Sequence, residues 1–207
     1  MEPKRIAVFV SGSGSNLQSL IDQEEKNKRG KIVLVFSNIG SCFALKRARK
    51  AGISTRSLRR KDFVSDQAYD KELMDILDEF RIDLIVLAGY LRIITKELVE
   101  SYRNRIINIH PSLLPAFGGV GCYGIHVHDK VLDRGCRVSG ATVHFVDEGA
   151  DTGPIILQDA LKVDPSWTAG DLQNEVLKIE HRLLPEAVRI FCEEKISIVN
   201  NKVIIRE

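Results

Sequence analysis

The sequence predicts an α/β protein with a mostly parallel β-sheet. Short continuous apolar runs, of which residues 6–10 and 84–88 are the clearest, alternate with helical patterns through the first half of the chain. Such runs are typical of strands that are buried on both faces of a parallel sheet. Right-handed crossovers between parallel strands then give a doubly wound, Rossmann-like arrangement. The second half differs, because it holds two longer strands, a long helix and a terminal hairpin pattern.

The element predictions follow from apolar spacing and from turn residues. Leu17, Leu20 and Ile21 have helical spacing, and Thr168 with Asp171 begins the long C-terminal helix as a capping box. Pro185 is expected to kink or divide that helix. The predicted strands are residues 6–10, 32–37, 54–58, 84–88, 106–109, 138–146 and 155–163, with a hairpin of 196–199 and 202–205. The predicted helices are residues 15–25, 43–51, 67–80, 96–102 and 168 to about 194.

Composition restricts the classes of function. The net charge of +2 does not predict binding to nucleic acid or membranes. The basic cluster at residues 56–61 is interpreted as a solvated loop. The four cysteines form no CxxC pair, so neither a zinc site nor a disulfide framework is expected. Because the N-terminus lacks a signal peptide and the apolar run 84–91 is too short to cross a bilayer, we expect a cytoplasmic protein. No linker or repeat is visible, which predicts one domain over residues 1–207.

The first candidate site follows the first predicted strand, at Ser-Gly-Ser-Gly-Ser-Asn in residues 11–16. Gly12 and Gly14 let the backbone approach a ligand, and the helix that follows offers free N–H groups to a phosphate. Leu17 stands where a dinucleotide motif needs its third glycine, and no P-loop lysine follows. The alternative interpretation is a tight turn before a well-capped helix.

The second candidate site ends another strand. Asn108 and His110 point to the same side of it, while Ile109 points into the core. Pro111 places His110 at the strand end. An amide and an imidazole side by side suit acyl transfer, since both can stabilise an oxyanion and the ring can carry a proton. A structural, hydrogen-bonded histidine is the alternative.

A third polar segment follows His144, where acidic residues and glycines fill residues 147–154. An aspartate of this loop could orient a histidine or bind a proton-carrying water. A solvated acidic turn is the alternative. Glu180 lies on an apolar helical stripe and needs a partner there, for which a substrate group and an internal lysine or arginine are equally suitable.

These segments together resemble the folate-dependent formyltransferases that act on glycinamide ribonucleotide, and the resemblance covers nearly the whole chain. The matching segments are residues 11–18, 89–94, 108–115, 144–154 and 180–185. The resemblance implies the formyltransferase fold. It also implies transfer of the formyl group of 10-formyltetrahydrofolate to the amine of glycinamide ribonucleotide, in de novo synthesis of purines (IMP). Residues 1–100 would then be the phosphate-binding and substrate-binding half, and residues 101–207 the catalytic and folate-binding half.

The resemblance also implies a role for individual residues. The implied catalytic residues are Asn108, His110 and Asp151. The implied phosphate-binding residues are Gly12, Ser13, Gly14, Ser15 and Asn16, with Glu180 at the ribose and glycinamide end. The implied folate-binding residues are Leu91, Arg92, Ile93, Ile94, Val146, Asp147, Glu148, Gly149, Ala150 and Asp151. The glycine-rich segment 116–124 is longer than the family's pattern, so its course and the roles of His126 and His128 stay open.

The expected reaction is direct transfer. The substrate amine attacks the formyl carbon, Asn108 and protonated His110 stabilise the oxyanion, and Asp151 supports the imidazolium and relays a proton through water. Neither a metal nor a nucleophilic cysteine or serine is expected, and the protein is expected to be a monomer or homodimer. The alternatives are formyltetrahydrofolate hydrolase, another folate-dependent formyltransferase such as the methionyl-tRNA enzyme, and a non-catalytic folate or nucleotide sensor.

Overall fold

The computed structural model describes residues 2–206. Its strands are β1 (Lys4–Val10), β2 (Gly30–Ser37), β3 (Ser54–Ser57), β4 (Leu84–Leu87), β5 (Ile106–His110), β6 (Val138–Phe145), β7 (Ile155–Lys162), β8 (Ile196–Val199) and β9 (Lys202–Ile205). Its helices are α1 (Ser15–Asp22), α2 (Phe43–Lys50), α3 (Asp66–Glu79), α4 (Lys96–Ser101), α5 (Ile125–Asp133) and α6 (Ala169–Cys192). Two 3₁₀ turns cover Glu24–Lys26 and Arg60–Asp62.

Seven strands form one sheet in the order β3-β2-β1-β4-β5-β6-β7. Strand β1 pairs in parallel with β2 and β4, and β2 pairs in parallel with β3, whereas β7 is antiparallel to β6. The first six positions follow the classic doubly wound order, in which ligands bind beyond the carboxyl ends of the strands. The predicted α/β class with a mostly parallel sheet is therefore confirmed.

The chain divides into two compact units, Met1–Ile107 and Asn108–Glu207. The boundary falls inside β5, which begins in the first unit and ends in the second. The single domain inferred for residues 1–207, with halves at 1–100 and 101–207, stays a prediction.

The core of the first unit explains why its strands have continuous apolar sequences. The last five residues of β1 and all four residues of β4 are buried, as expected for strands that are covered on both faces. The Phe9 and Phe36 rings lie 4.9 Å apart between centroids, and Tyr90 meets Phe9 edge-on at 5.3 Å. Helix α1 is shorter than predicted, since it ends at Asp22 and a 3₁₀ turn follows.

The second unit is built on β6, β7 and α6. The predicted capping box is present, with Asp171 N–H donating to Thr168 Oγ1 at 3.2 Å and Thr168 N–H donating to Asp171 Oδ2 at 2.9 Å. The expected division at Pro185 does not occur, because α6 is continuous from Ala169 to Cys192. Pro185 is buried there, and the packing of the helix offsets the single backbone hydrogen bond that proline removes.

The terminal hairpin and helix α5 are the other elements of this unit. The terminal hairpin is confirmed: β8 and β9 pair antiparallel, and Asn200 and Asn201 have φ of 50° and 60°, as a type I′ turn requires. Helix α5, which follows the glycine-rich segment, was not predicted.

Candidate active site

The loop after β1 has the features of an anion site. Gly14 is the N-cap of α1 with φ of 75°, and a glycine has no side chain with which to cap the start of the helix. A Cβ on Gly14 would lie 2.6 Å from the Cβ of Ala44, so no other residue fits there without displacing α2. Ala44 N–H donates to the Gly12 carbonyl at 3.1 Å, and Arg47 Nε donates to the Ser13 carbonyl at 2.9 Å. These two contacts fix the loop from the side of α2, and the N-terminus of α1, where a helix favours a phosphate, begins at this loop.

Ser11 links this loop to the segment with the predicted folate contacts. Its hydroxyl donates to Asn38 Oδ1 at 2.6 Å and accepts from Leu91 N–H at 2.9 Å, while its own N–H donates to the Gly89 carbonyl at 3.1 Å. The side chains of Leu91 and Ile93 are 58% and 80% exposed. An apolar surface is thus available beside the loop, as a flat aromatic ligand would need.

Arg92 and Ile94, the other predicted folate residues of this segment, differ in how they pack within the first unit. Arg92 donates to Asp66 Oδ1 at 2.6 Å and lies over the Tyr69 ring at 4.6 Å from its centroid. Ile94 is half-buried. Arg92 is therefore fixed in position by an ion pair and a cation–π contact.

In the second unit, the three residues that the resemblance implies as catalytic lie together. Asn108 and His110 share one side of β5, and Ile109 on the other side is buried, as predicted. Asn108 Nδ2 is 3.5 Å from Asp151 Oδ1, and His110 Nδ1 is 3.5 Å from Asp151 Oδ2. His110 Nε2 lies 2.8 Å from the Phe117 carbonyl, which places the glycine-rich segment against the imidazole.

The surroundings of this cluster set its charges. Burial lowers the pKa of His110, and the Asp151 carboxylate and the Phe117 carbonyl oppose this only in part. Burial alone would raise the pKa of Asp151, but contacts with His144 and His110 and the Gly119 N–H outweigh it, so that this pKa is lowered. At neutral pH the cluster therefore contains a carboxylate and a mainly neutral His110.

The carboxylate of Asp151 lies on a tight turn that Asp147 stabilises. Asp147 Oδ1 accepts from Gly149 N–H at 3.0 Å and from Thr152 Oγ1 at 2.6 Å. Asp151 has φ of 60°, in the left-handed region, and its Oδ2 accepts from Gly119 N–H at 2.9 Å. The remaining predicted folate residues of this turn differ in exposure: Val146 is half-buried, and Glu148, Gly149 and Ala150 are exposed.

His144 is a member of this cluster that the sequence analysis did not assign to it. Its Nε2 is 3.1 Å from Asn108 Nδ2 and 3.6 Å from Asp151 Oδ1, and its Nδ1 is 2.8 Å from the Phe145 carbonyl. The residue is only 2% exposed. Thr142 and His144 alternate with the apolar residues Val143 and Phe145 along β6, and this alternation was the sequence signal that could have placed His144 on a polar face.

The structure also locates the remaining candidates. Glu180 lies on the buried stripe of α6 and is 6% exposed. His126 is exposed, with Nδ1 3.9 Å from Asp129 Oδ2. His128 is 1% exposed, and burial lowers its pKa to about 4. None of the four cysteines, all of which lie within residues 2–206, forms a disulfide.

The basic cluster at residues 56–61 is largely paired. Arg56 lies 3.1 Å from Glu79, and Arg59 lies 2.8 Å from Asp62. Arg60 pairs with Asp66, the same carboxylate that holds Arg92. These ion pairs agree with the interpretation of a solvated loop.

Residues 2–206 contain no group of three or more His, Cys, Asp and Glu side chains arranged to hold a metal ion. No helix in this part of the chain has both the length and the apolar character needed to cross a membrane.

Comparisons with known proteins show which family this chain resembles. Residues 4–188 match the family model described as formyl transferase. The phosphoribosylglycinamide formyltransferase of Escherichia coli is 40% identical over 197 residues, which are 95% of this chain and 91% of that protein. The chloroplastic enzyme of the same name from Arabidopsis thaliana is 44% identical over 196 residues, 94% of this chain and 67% of that protein.

A solved structure is similarly close. Glycinamide ribonucleotide transformylase 1 from Symbiobacterium toebii superposes with a TM-score of 0.93 at 40% identity, covering 99% of this chain and 95% of that one. The chain also matches trifunctional purine biosynthetic proteins of Drosophila melanogaster and Bos taurus, of which it spans 14% and 20%.

The fold and the cluster of amide, imidazole and carboxylate define an α/β enzyme of the acyl-transfer class. The chain belongs to the formyl transferase family. The family and the class of enzyme that the sequence motifs predicted are confirmed.

Proposed function

We propose that this protein transfers the formyl group of 10-formyltetrahydrofolate to the amine of glycinamide ribonucleotide. The products are N-formylglycinamide ribonucleotide and tetrahydrofolate, a step of de novo purine synthesis. One observation carries the proposal: Asn108 Nδ2 and His110 Nδ1 each lie 3.5 Å from one oxygen of the Asp151 carboxylate, so an amide donor, a proton acceptor and a carboxylate are available to one small group. The names of the full-length relatives support the choice of substrates.

Substrate binding is assigned to groups whose local structure suits each ligand. The loop at residues 11–16 binds the phosphate at the N-terminus of α1, where backbone N–H groups and the helix dipole favour an anion. Glu180 binds the ribose and glycinamide end. Residues 91–94 and 146–151 bind the pterin, for which exposed Leu91 and Ile93 supply apolar contacts.

The reaction proceeds by direct attack of the neutral amine on the formyl carbon. The new carbon–nitrogen bond forms as the carbonyl electrons move to the oxygen, and an Asn108 N–H stabilises that oxyanion. Since the pKa of His110 is lowered, its ring begins neutral and takes the proton that the amine loses. The imidazolium then donates to the oxyanion, and Asp151 stabilises its charge. Collapse of the intermediate breaks the bond to folate N10, which receives the proton from His110, directly or through water.

The proposed reaction needs neither a metal ion nor a covalent enzyme intermediate, because the amine itself is the nucleophile. We place the protein in the cytoplasm, as a monomer or homodimer whose partners are the two small-molecule substrates, without nucleic acid.

A steady-state assay with both substrates tests the function. The wild-type protein should form N-formylglycinamide ribonucleotide, and Asn108→Ala and Asp151→Asn should each lower kcat by about 10²- to 10³-fold, the loss typical of an oxyanion donor or its support. Asp129→Asn, at an exposed position of α5, is the matched control. Near-normal kcat in folded Asn108→Ala and Asp151→Asn would contradict the assignment. Formate release without amine would identify a hydrolase, and folate binding without turnover would identify a sensor.

A further inference from the structure

His144 has one ring nitrogen whose protonation state its partner decides. Nδ1 lies 2.8 Å from the Phe145 carbonyl oxygen, which can only accept a hydrogen bond. Nδ1 must therefore carry a proton. In the neutral ring, the other nitrogen, Nε2, then has a lone pair and no proton. Nε2 lies 3.1 Å from the Asn108 amide nitrogen, within hydrogen-bond distance, but 3.6 Å from Asp151 Oδ1, so the amide is its nearer partner.

That lone pair determines which end of the Asn108 amide faces it. Asn108 Nδ2 is 3.1 Å from His144 Nε2 and 3.5 Å from Asp151 Oδ1, so its two N–H groups face two acceptors. With the amide turned over, Oδ1 would face a lone pair and a carboxylate, which is repulsive at these distances. The hydrogen bond to His144 is the shorter one. The N–H directed at Asp151 is only weakly engaged and is free to move to an oxyanion.

The backbone around His144 is built to bring the Phe145 carbonyl to Nδ1. The pairing of β6 with β7 shifts register between Val143 and His144, and such a bulge re-aims a side chain. Phe145 N–H donates to the Pro154 carbonyl at 2.9 Å. A Cβ on Gly153 would lie 1.9 Å from the Phe145 oxygen, so only glycine at residue 153 allows this position of the carbonyl.

We propose that His144 is a positioning residue for formyl transfer. Its Nδ1–H tautomer, held by the Phe145 carbonyl, turns the Asn108 amide so that an N–H rather than the amide oxygen meets the developing oxyanion. The inference rests on the proposed function for its effect on rate. The tautomer itself does not depend on which substrate is used, and neither does the direction of the amide.

Two substitutions distinguish the role of Nδ1 of His144 from the role of Nε2. The side-chain amide of Asn reaches about as far as Nδ1 and that of Gln about as far as Nε2. His144→Asn therefore keeps a partner for the Phe145 carbonyl but removes the acceptor for Asn108, whereas the Gln oxygen in His144→Gln can accept. We expect kcat to fall about 100-fold in His144→Asn and about 10-fold in His144→Gln, with both KM values changed less than about threefold. His126→Gln on the exposed face of α5 is the control. Equal losses in the two variants, or kcat of His144→Asn within about threefold of wild type, would overturn the proposal.

Nitrogen-15 NMR of the wild-type protein reads the tautomer directly. The His144 signals are those that disappear in His144→Gln, and we expect a protonated Nδ1 with an unprotonated Nε2. An Nε2–H tautomer, or a doubly protonated ring at a pH of full activity, would overturn the inference. This result is independent of turnover, so absence of formyl transfer would reject the proposed function while the NMR still decides the tautomer.

Gly153→Ala adds a test without any change to His144. Displacement of the Phe145 carbonyl should leave a mixture of tautomers and lower kcat more than KM. A folded Gly153→Ala protein with unchanged tautomer and kcat would contradict the role of this carbonyl. If that variant fails to fold, the His144 variants and the wild-type spectrum still decide.

Discussion

At the scale of single residues, His110 controls how the proposed reaction depends on pH. Burial lowers its pKa below the ordinary value of 6.5, while the carboxylate of Asp151 opposes this shift. The ring accepts a proton only when neutral, so kcat/KM should fall as pH drops through that lowered pKa. The acid limb of the profile should therefore lie below pH 6.5.

Asp151→Asn should move this limb in a defined direction. The substitution removes the negative charge that raises the pKa of His110, so the limb should shift to lower pH while turnover also falls. Asn tolerates the left-handed backbone of residue 151, which keeps the turn intact. Profiles of kcat/KM against pH for the two proteins measure the shift. A limb that moved to higher pH would show that another group titrates.

At the scale of elements, the start of α1 depends on one glycine. Gly14→Ala should cost about 1–2 kcal/mol of folding free energy from its positive φ alone. The 2.6 Å approach of the new Cβ to Ala44 adds to that cost. Because the loop would shift, KM for glycinamide ribonucleotide should rise. Gly12→Ala is the matched control for stability, since nothing lies within 4 Å of its Cβ. Denaturant unfolding compares the two, and equal stabilities would contradict this account.

The central strands could be predicted well because β1 and β4 are local apolar runs that are buried as their sequences indicate. Helix α5 could not be predicted in this way. One of its three buried residues is His128, beside Val127 and Val131, and a buried histidine does not look apolar in a sequence. The position of Asn108 and His110 on one side of β5 was predictable from strand alternation. The part played by His144 depends on a neighbouring carbonyl and a register shift, which no local pattern encodes.

At the scale of the whole molecule, the division after Ile107 raises the question of whether the two units unfold together. Strand β5 continues across the boundary to His110, so neither unit carries that strand complete. We therefore expect one calorimetric unfolding transition, with a calorimetric enthalpy equal to the van't Hoff enthalpy. Two resolved transitions would instead show that Met1–Ile107 and Asn108–Glu207 unfold as separate domains.

The backbone of residue 151 also limits how this enzyme could evolve. With φ of 60°, the position favours glycine, asparagine and aspartate, and of these only aspartate carries a negative charge. Glutamate has the same charge but gains nothing from the local bonding that lets the shorter side chain occupy this conformation. One amino acid thus satisfies both the shape of the turn and its chemistry, which leaves natural variation little freedom there.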